Sequence, residues 1–259
     1  PGPSVVPDRV LRAMHRAAPN IYIGELVEMT HGIVRDLRRV ARTSHDVAMY
    51  ICNGHGTWEA SLSNTMSRGD KVLVLDTGQF GRGWGATAQG LGIEVEMLPG
   101  DSRKPVELAR LTEALRADRD HRIKGVLAVH VETSSGRSDI AGVRRALDDA
   151  GHPALLFSDN IASLAVDEFH MDDWGVDVMV SASQKGLMVP PGMAFVFFND
   201  RARDVLPAFR RHRADASPLR ASRSARHDPG RGGAGGRLDA PRRAGAHHLG
   251  RGRGLGAGQ

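Results

Sequence analysis

VMVSASQKGLMVPPG, Val178 to Gly192, joins an apolar run to a single lysine and then to a turn rich in glycine and proline. The run reads as a buried strand, and an ammonium group at the end of such a strand must be desolvated or paired. Lys185 therefore has two readings. In the bland one its stem lies along the surface and its amine reaches water. In the other it belongs to a site. Ser181, Ser183 and Gln184 bring hydrogen-bonding side chains to its neighbourhood, while Gly186, Pro190, Pro191 and Gly192 fix the turn.

Upstream of this stretch, apolar runs alternate with amphipathic ones, each bounded by Gly, Pro, Asp or Asn, and the rhythm holds to about Leu206. Strands are expected at Lys71–Leu75, Ile93–Leu98, Gly125–Val131, Ala154–Asp159, Val176–Ser181 and Met193–Phe198. Helices are expected at Pro7–Arg16, Gly24–Ala41, Thr57–Met66, Gln79–Leu91, Pro105–Ala117 and Ile140–Ala150. Several strands are apolar on both faces, as in a mostly parallel sheet covered on both sides by helices. In the last helix Ile140, Val143, Ala146 and Leu147 share one stripe, which leaves Arg144, Arg145, Asp148 and Asp149 to water. The expected fold class is α/β, in one large domain spanning residues 1–206.

The 259 residues are 41% hydrophobic, ordinary for a globular chain. No apolar run approaches the roughly 20 residues that span a bilayer, and the opening PGPSVVPDRVLRAM lacks the charged-then-apolar layout of a signal peptide. A cytoplasmic protein without a membrane partner is expected. The one cysteine, Cys52, has no internal disulfide partner and reads as a small buried hydrophobe.

The net charge of +5 would suggest an acidic partner such as nucleic acid. From Pro207 onward, however, there are twelve arginines and three aspartates with no lysine or glutamate, so the preceding part is mildly acidic. Residues 207–259 have almost no aliphatic side chains and no periodicity. Such a segment does not offset the roughly 1–2 kcal/mol per residue that backbone ordering costs, and disorder is expected. An arginine-glycine tail can bind RNA, yet no aromatic follows Phe209 for bases to stack on, so no nucleic-acid partner is expected. Arg, Gly, Ala and Pro also dominate when GC-rich DNA is read out of frame, and that is the preferred reading of the tail.

A lysine amine in a site condenses with carbonyl compounds, and the commonest partner is pyridoxal 5′-phosphate (PLP). PLP makes further demands. A carboxylate must keep its ring nitrogen protonated. Asp159, directly after the strand in HPALLFSDNIAS, can point into the crevice at the sheet's carboxyl edge, or merely cap the next turn. The phosphate needs backbone N–H groups. Asn53-Gly54-His55-Gly56 lead into a helix expected to begin near Thr57, with Thr57 as its cap. A rival glycine-rich loop, DTGQFGRGWG from Asp76 to Gly85, fits neither G-x-G-x-x-G nor the P-loop, and its Phe80 or Trp84 could stack on a ring or pack in the core. His130 and the His247-His248 pair show no metal-ligand spacing, so no metal is expected.

Taken in order, GPSVVPDRVLRAM, NGHGTWEA, GDKVLVLDTGQFG, VETSSG and SDNIASLAVDEFHMDDWGVDVMVSASQKGLMVPPG resemble the blocks of class V, fold-type I PLP enzymes near the serine-glyoxylate and alanine-glyoxylate aminotransferases. The resemblance covers about the first four-fifths of the chain, and the last block is its specific element. It implies the large domain of a PLP transferase that moves an amino group from a small amino acid, serine or alanine, to a keto acid such as glyoxylate. It makes Lys185 the covalent lysine and proton-transferring base, with Asp159 holding the ring N–H and Ile161 packing under the ring. Gly54, His55 and Gln184 would contact the phosphate, Phe80 would stack on the ring in preference to Trp84, and Thr133 would place a hydroxyl near it. Gly2 belongs to the N-terminal segment that approaches substrate, and a homodimer is implied.

Two departures stand out. Asn160 occupies a position where small or cysteine residues are usual, and nothing after Pro207 matches the family's C-terminal domain, whose arginine clamps the substrate carboxylate. The alternatives are a catalytically inactive PLP-binding remnant and a cysteine desulfurase-like enzyme, for which Cys52 is misplaced in sequence.

Overall fold

The computed structural model describes residues 2–101, 104 and 106–206. Two helices, α1 (Asp8–Met14) and α2 (Glu25–Ala41), lead into β1 (Asp46–Cys52) and α3 (Gly54–Thr65). An α/β alternation follows: β2 (Lys71–Asp76), α4 (Gln79–Gly90), β3 (Glu94–Pro99), α5 (Leu108–Ala117), β4 (Ile123–Val129), α6 (Ile140–Asp149) and β5 (Leu155–Asp159). The described chain closes with β6 (Val178–Ala182), β7 (Gly192–Phe198) and α7 (Asp200–Val205). Among the described residues no helix is long and apolar enough to cross a membrane.

The strands form one seven-stranded sheet in the order β1-β7-β6-β5-β4-β2-β3. Pairing is parallel from β6 across to β3 and antiparallel where β7 meets β6 and β1. Strand periodicity explains the layers. In β2, Leu73 and Leu75 pack on one face with Leu111, Leu115, Ile140 and Leu147 from α5 and α6. Val72 and Val74 pack on the other face with Trp58, Leu62 and Trp84 from α3 and α4. The sheet is therefore covered on both sides, as the uninterrupted apolar runs require.

Every strand and helix expected from the sequence is present, with ends displaced by a few residues, and two elements are additional. β1 is an edge strand that pairs only with β7, so its DVAMYIC carries no doubly apolar signature. The other, α7, is a single short helix. Three expectations need correction. First, α3 begins at Gly54, and its cap is Asn53, whose side chain accepts from Gly56 N–H at 3.1 Å. Thr57 lies inside the first turn and donates to the Gly54 carbonyl at 2.6 Å. Second, Arg144 does not face water: its side chain is 13% exposed and pairs with Asp148 and Asp177. Third, Cys52 is half-buried rather than buried. The reading of 207–259 as a disordered tail, and His247-His248 within it, lie outside the described residues, as does Pro105.

The chain goes from β2 outward to β3 and returns to β4 on the other side of β2. Loops after β2 and β4 thus part at this switch point, which opens a crevice at the carboxyl edge of the parallel strands.

Candidate active site

All eight residues expected around a cofactor line one cavity of about 250 Å³ in that crevice: Gly54, His55, Phe80, Thr133, Asp159, Ile161, Gln184 and Lys185. Gly2 lines an adjoining cavity that shares Thr133 and Lys185.

Lys185 sits in the turn between β6 and β7. Met188 N–H donates back to its carbonyl at 3.0 Å, and a side chain at Gly186 would collide with the Leu164 carbonyl, so glycine is required there. Ser181 and Ser183 brace this turn rather than enter the cavity. The Ser181 hydroxyl donates to the Asn160 carbonyl at 3.2 Å and that of Ser183 to the Pro190 carbonyl at 2.7 Å. The N-terminal segment clamps the turn from outside. Ser4 N–H donates to the Gln184 carbonyl at 2.8 Å, and its hydroxyl to the Lys185 carbonyl at 2.6 Å. A methyl group at Gly2 would stand 3.0 Å from Lys185 Cδ and 3.4 Å from Nζ.

Asp159 ends β5 and is only 4% exposed. Trp58 Nε1–H donates to one carboxylate oxygen at 2.7 Å, and Ile161 N–H to the other at 2.8 Å. Burial pushes its pKa up to about 6, against these two hydrogen bonds and with the help of the nearby Glu132 charge. Behind it, Asn160 forms a buried polar knot. Its carbonyl oxygen Oδ1 accepts from Ser158 at 2.6 Å, and its amide donates to Ser163 Oγ at 3.1 Å and meets His130 Nδ1 at 3.1 Å. Burial drives His130 down to about 4, so it is neutral and belongs to the core.

At the other end of the cavity the first turn of α3 presents backbone N–H groups that have no partner within the helix, together with the positive end of its dipole. A side chain at Gly54 would collide with Ile161. Phe80 reaches the cavity from the start of α4, where Phe80 N–H and Gly81 N–H both donate to the buried Glu132 carboxylate at 3.2 Å. Trp84 does not reach it. Fully buried, it stacks on Trp58 with ring centroids 6.1 Å apart.

Trp58, Glu132 and Ser4 escaped the sequence reading. Trp58 follows Gly54 by one helical turn, a spacing that returns a side chain to the face where the helix begins. Glu132 lies within VETSSG beside Thr133, but its role depends on contact with α4, which sequence spacing does not reveal.

A lysine turn and a buried aspartate at the carboxyl edge of this sheet define a fold-type I PLP-transferase domain. Residues 55–212 match the aminotransferase class-V family, and the chain belongs to it. It is 40% identical over 204 residues to a serine-glyoxylate aminotransferase of Methylorubrum extorquens, covering 78% of this chain and 51% of that protein. It is 39% identical over 212 residues to an L-aspartate-glyoxylate aminotransferase of Paracoccus denitrificans, covering 81% and 54%. The structure of an alanine-glyoxylate aminotransferase from Nostoc sp. superposes with a TM-score of 0.74 at 30% identity, covering 79% of this chain and 53% of that one. The chain thus spans about half the length of the curated relatives it matches.

The cofactor of this family is PLP, and the residues present fit it. One cavity offers an amine at Lys185, a carboxylate at Asp159 and helix-start N–H groups cradled by glycine.

Proposed function

We propose that this chain is the cofactor-binding half of a PLP-dependent aminotransferase that moves an amino group from a small amino acid, serine or alanine, to a keto acid such as glyoxylate. The observation that carries this reading is the convergence of Lys185, Asp159 and the start of α3 on one cavity. When bound, PLP supplies an aldehyde for amine exchange and a protonated ring that withdraws electron density from the substrate carbon. Lys185 Nζ would hold the cofactor covalently, and its amine would serve as the base that takes and returns the substrate's α-proton. The Asp159 carboxylate keeps a proton on the ring nitrogen. Gly54, His55 and Gln184 donate to the phosphate, aided by the α3 dipole. Phe80 and Ile161 offer apolar surface to the ring, Thr133 offers a hydroxyl, and Gly2 leaves room for substrate beside the amine.

A second reading, PLP binding without turnover, draws on one observation: among the described residues, no arginine lines either cavity to meet a substrate carboxylate. Among the described residues Cys52 lines neither cavity, so it offers no support to a desulfurase reading. We also infer a homodimer working in the cytoplasm. Exposed apolar side chains at Ile21, Tyr22, Ile23 and Ile51 support the dimer, and the single cysteine suits a reducing compartment.

Borohydride reduction of PLP-saturated protein followed by peptide mapping tests the reading. The label is expected on the Lys185 peptide and absent from Lys185→Ala; an unlabelled Lys185 refutes it. Incubation with serine or alanine and glyoxylate then separates turnover from binding alone.

A further inference from the structure

The indole of Trp58 is a part of this site that the proposed function leaves without a role. Trp58 is 1% exposed, and its N–H is spent on Asp159 at 2.7 Å. With Ile161 N–H on the other oxygen, each oxygen of the carboxylate is tied by a donor from a different element. Among the described residues Asp159 forms no ion pair, so neutral donors alone hold its charge. The indole has little freedom to swing away. Trp84 stacks on it at an interplanar angle of 15°, and the rings of Phe80 and His55 meet it edgewise with centroids 6.3 and 4.6 Å away. The charged and titratable groups facing the carboxylate are Glu132 from the loop after β4, Lys185 from the turn after β6, and His55 from α3.

We propose that Trp58 is a positioning residue of the cofactor site, its indole N–H holding the Asp159 carboxylate in one cavity-facing orientation and favouring its charged form. The proposal rests on the PLP reading above. It makes α3 act at both ends of the ligand, with its first turn facing the phosphate and its second turn setting the acid that serves the ring nitrogen.

Trp58→Phe keeps the ring and deletes the donor, and two readouts decide. In cofactor-free wild type, the indole ¹⁵N–¹H resonance of Trp58 should move with pH as Asp159 titrates, and this titration should vanish in Asp159→Asn. A pH-indifferent resonance overturns the proposal without need of any variant that must fold. In the second readout, the affinities of wild type and Trp58→Phe are compared for PLP and for its analogue with carbon in place of the ring nitrogen. We expect about a tenfold loss for PLP, the scale of one hydrogen bond to a charged group, and no loss for the analogue. Equal losses for both ligands mark a merely structural tryptophan and overturn the proposal. Wild-type protein that binds neither ligand removes the PLP reading itself and the cofactor role of Trp58 with it, and the indole titration shows separately whether the hydrogen bond exists.

Discussion

Asp177 stands at the amino end of β6 and Asp159 at the carboxyl end of the neighbouring β5, both withdrawn from water. Asp177 is saturated with partners. It accepts from Leu156 N–H at 2.7 Å and Asn199 Nδ2 at 2.8 Å, Arg201 Nη1 lies 2.9 Å from both of its oxygens, and Arg144 stands 3.6 Å away. Asp159 has one neutral donor per oxygen and faces a cavity. The difference separates two uses of a buried acid. A carboxylate neutralised by arginines ties β5, β6, α6 and α7 together. One left without a cation keeps its charge available for something that enters from outside.

The comparison can be broken by experiment. The largest expected effect is on Asp177. Asp177→Ala leaves the largely buried Arg144 and the buried Leu156 N–H without this partner and should cost about 3–5 kcal/mol in urea unfolding while leaving cofactor affinity intact. A loss below about 1 kcal/mol would erase its structural role.

Next comes the pH dependence of Asp159. Its pKa rises from 3.8 to about 6 on folding, so ionising it opposes the folded state. Relative to Asp159→Asn, cofactor-free wild type should lose stability as pH rises from about 4 to about 6, by up to roughly 3 kcal/mol. His130 acts in the opposite sense. Its pKa falls from 6.5 to about 4 on folding, so its contribution is present above pH 6.5 and lost as pH drops through that range. Because both proteins retain His130, the difference between their unfolding curves isolates Asp159. Parallel curves from pH 4 to 7 would mean that Asp159 is not buried as an unpaired acid.

A smaller effect is expected at Gly54, where a methyl group pushes against Ile161. Gly54→Ala should cost about 1–2 kcal/mol of stability and weaken PLP binding several-fold, as measured by urea unfolding and absorbance titration. The same change at Gly69, where nothing lies within 4 Å, provides a contrast that can alter stability through its left-handed backbone but should not touch the cofactor.

Much of this was legible in the sequence because the signals are local. Runs such as VLVL in β2 and VMV in β6 are apolar at consecutive positions, so they announced strands buried on both faces, and QKG followed by PPG announced a fixed turn. What the sequence hid depends on distant contact. Thr57 looked like a cap because a hydroxyl preceded by glycines suggests a loop ending there, yet Asn53 reaches Gly56 first and the glycines are helical. Arg144 looked like a surface residue because its neighbours along α6 are polar, yet Asp177, from another part of the chain, draws it inward. Trp58 drew no reading from the sequence; by packing it is core, and only its hydrogen-bond partner, 101 residues away in sequence, gives it a second role.

Ser4 fastens its segment to the lysine turn, its N–H donating to the Gln184 carbonyl and its one hydroxyl hydrogen shared between the Gln184 and Lys185 carbonyls. For anyone producing this protein, that contact has a practical side. A protease cut just after Ser4 would loosen the reactive amine's own support. Protein cleaved there should therefore differ from intact protein in colour and in reactivity towards carbonyl reagents.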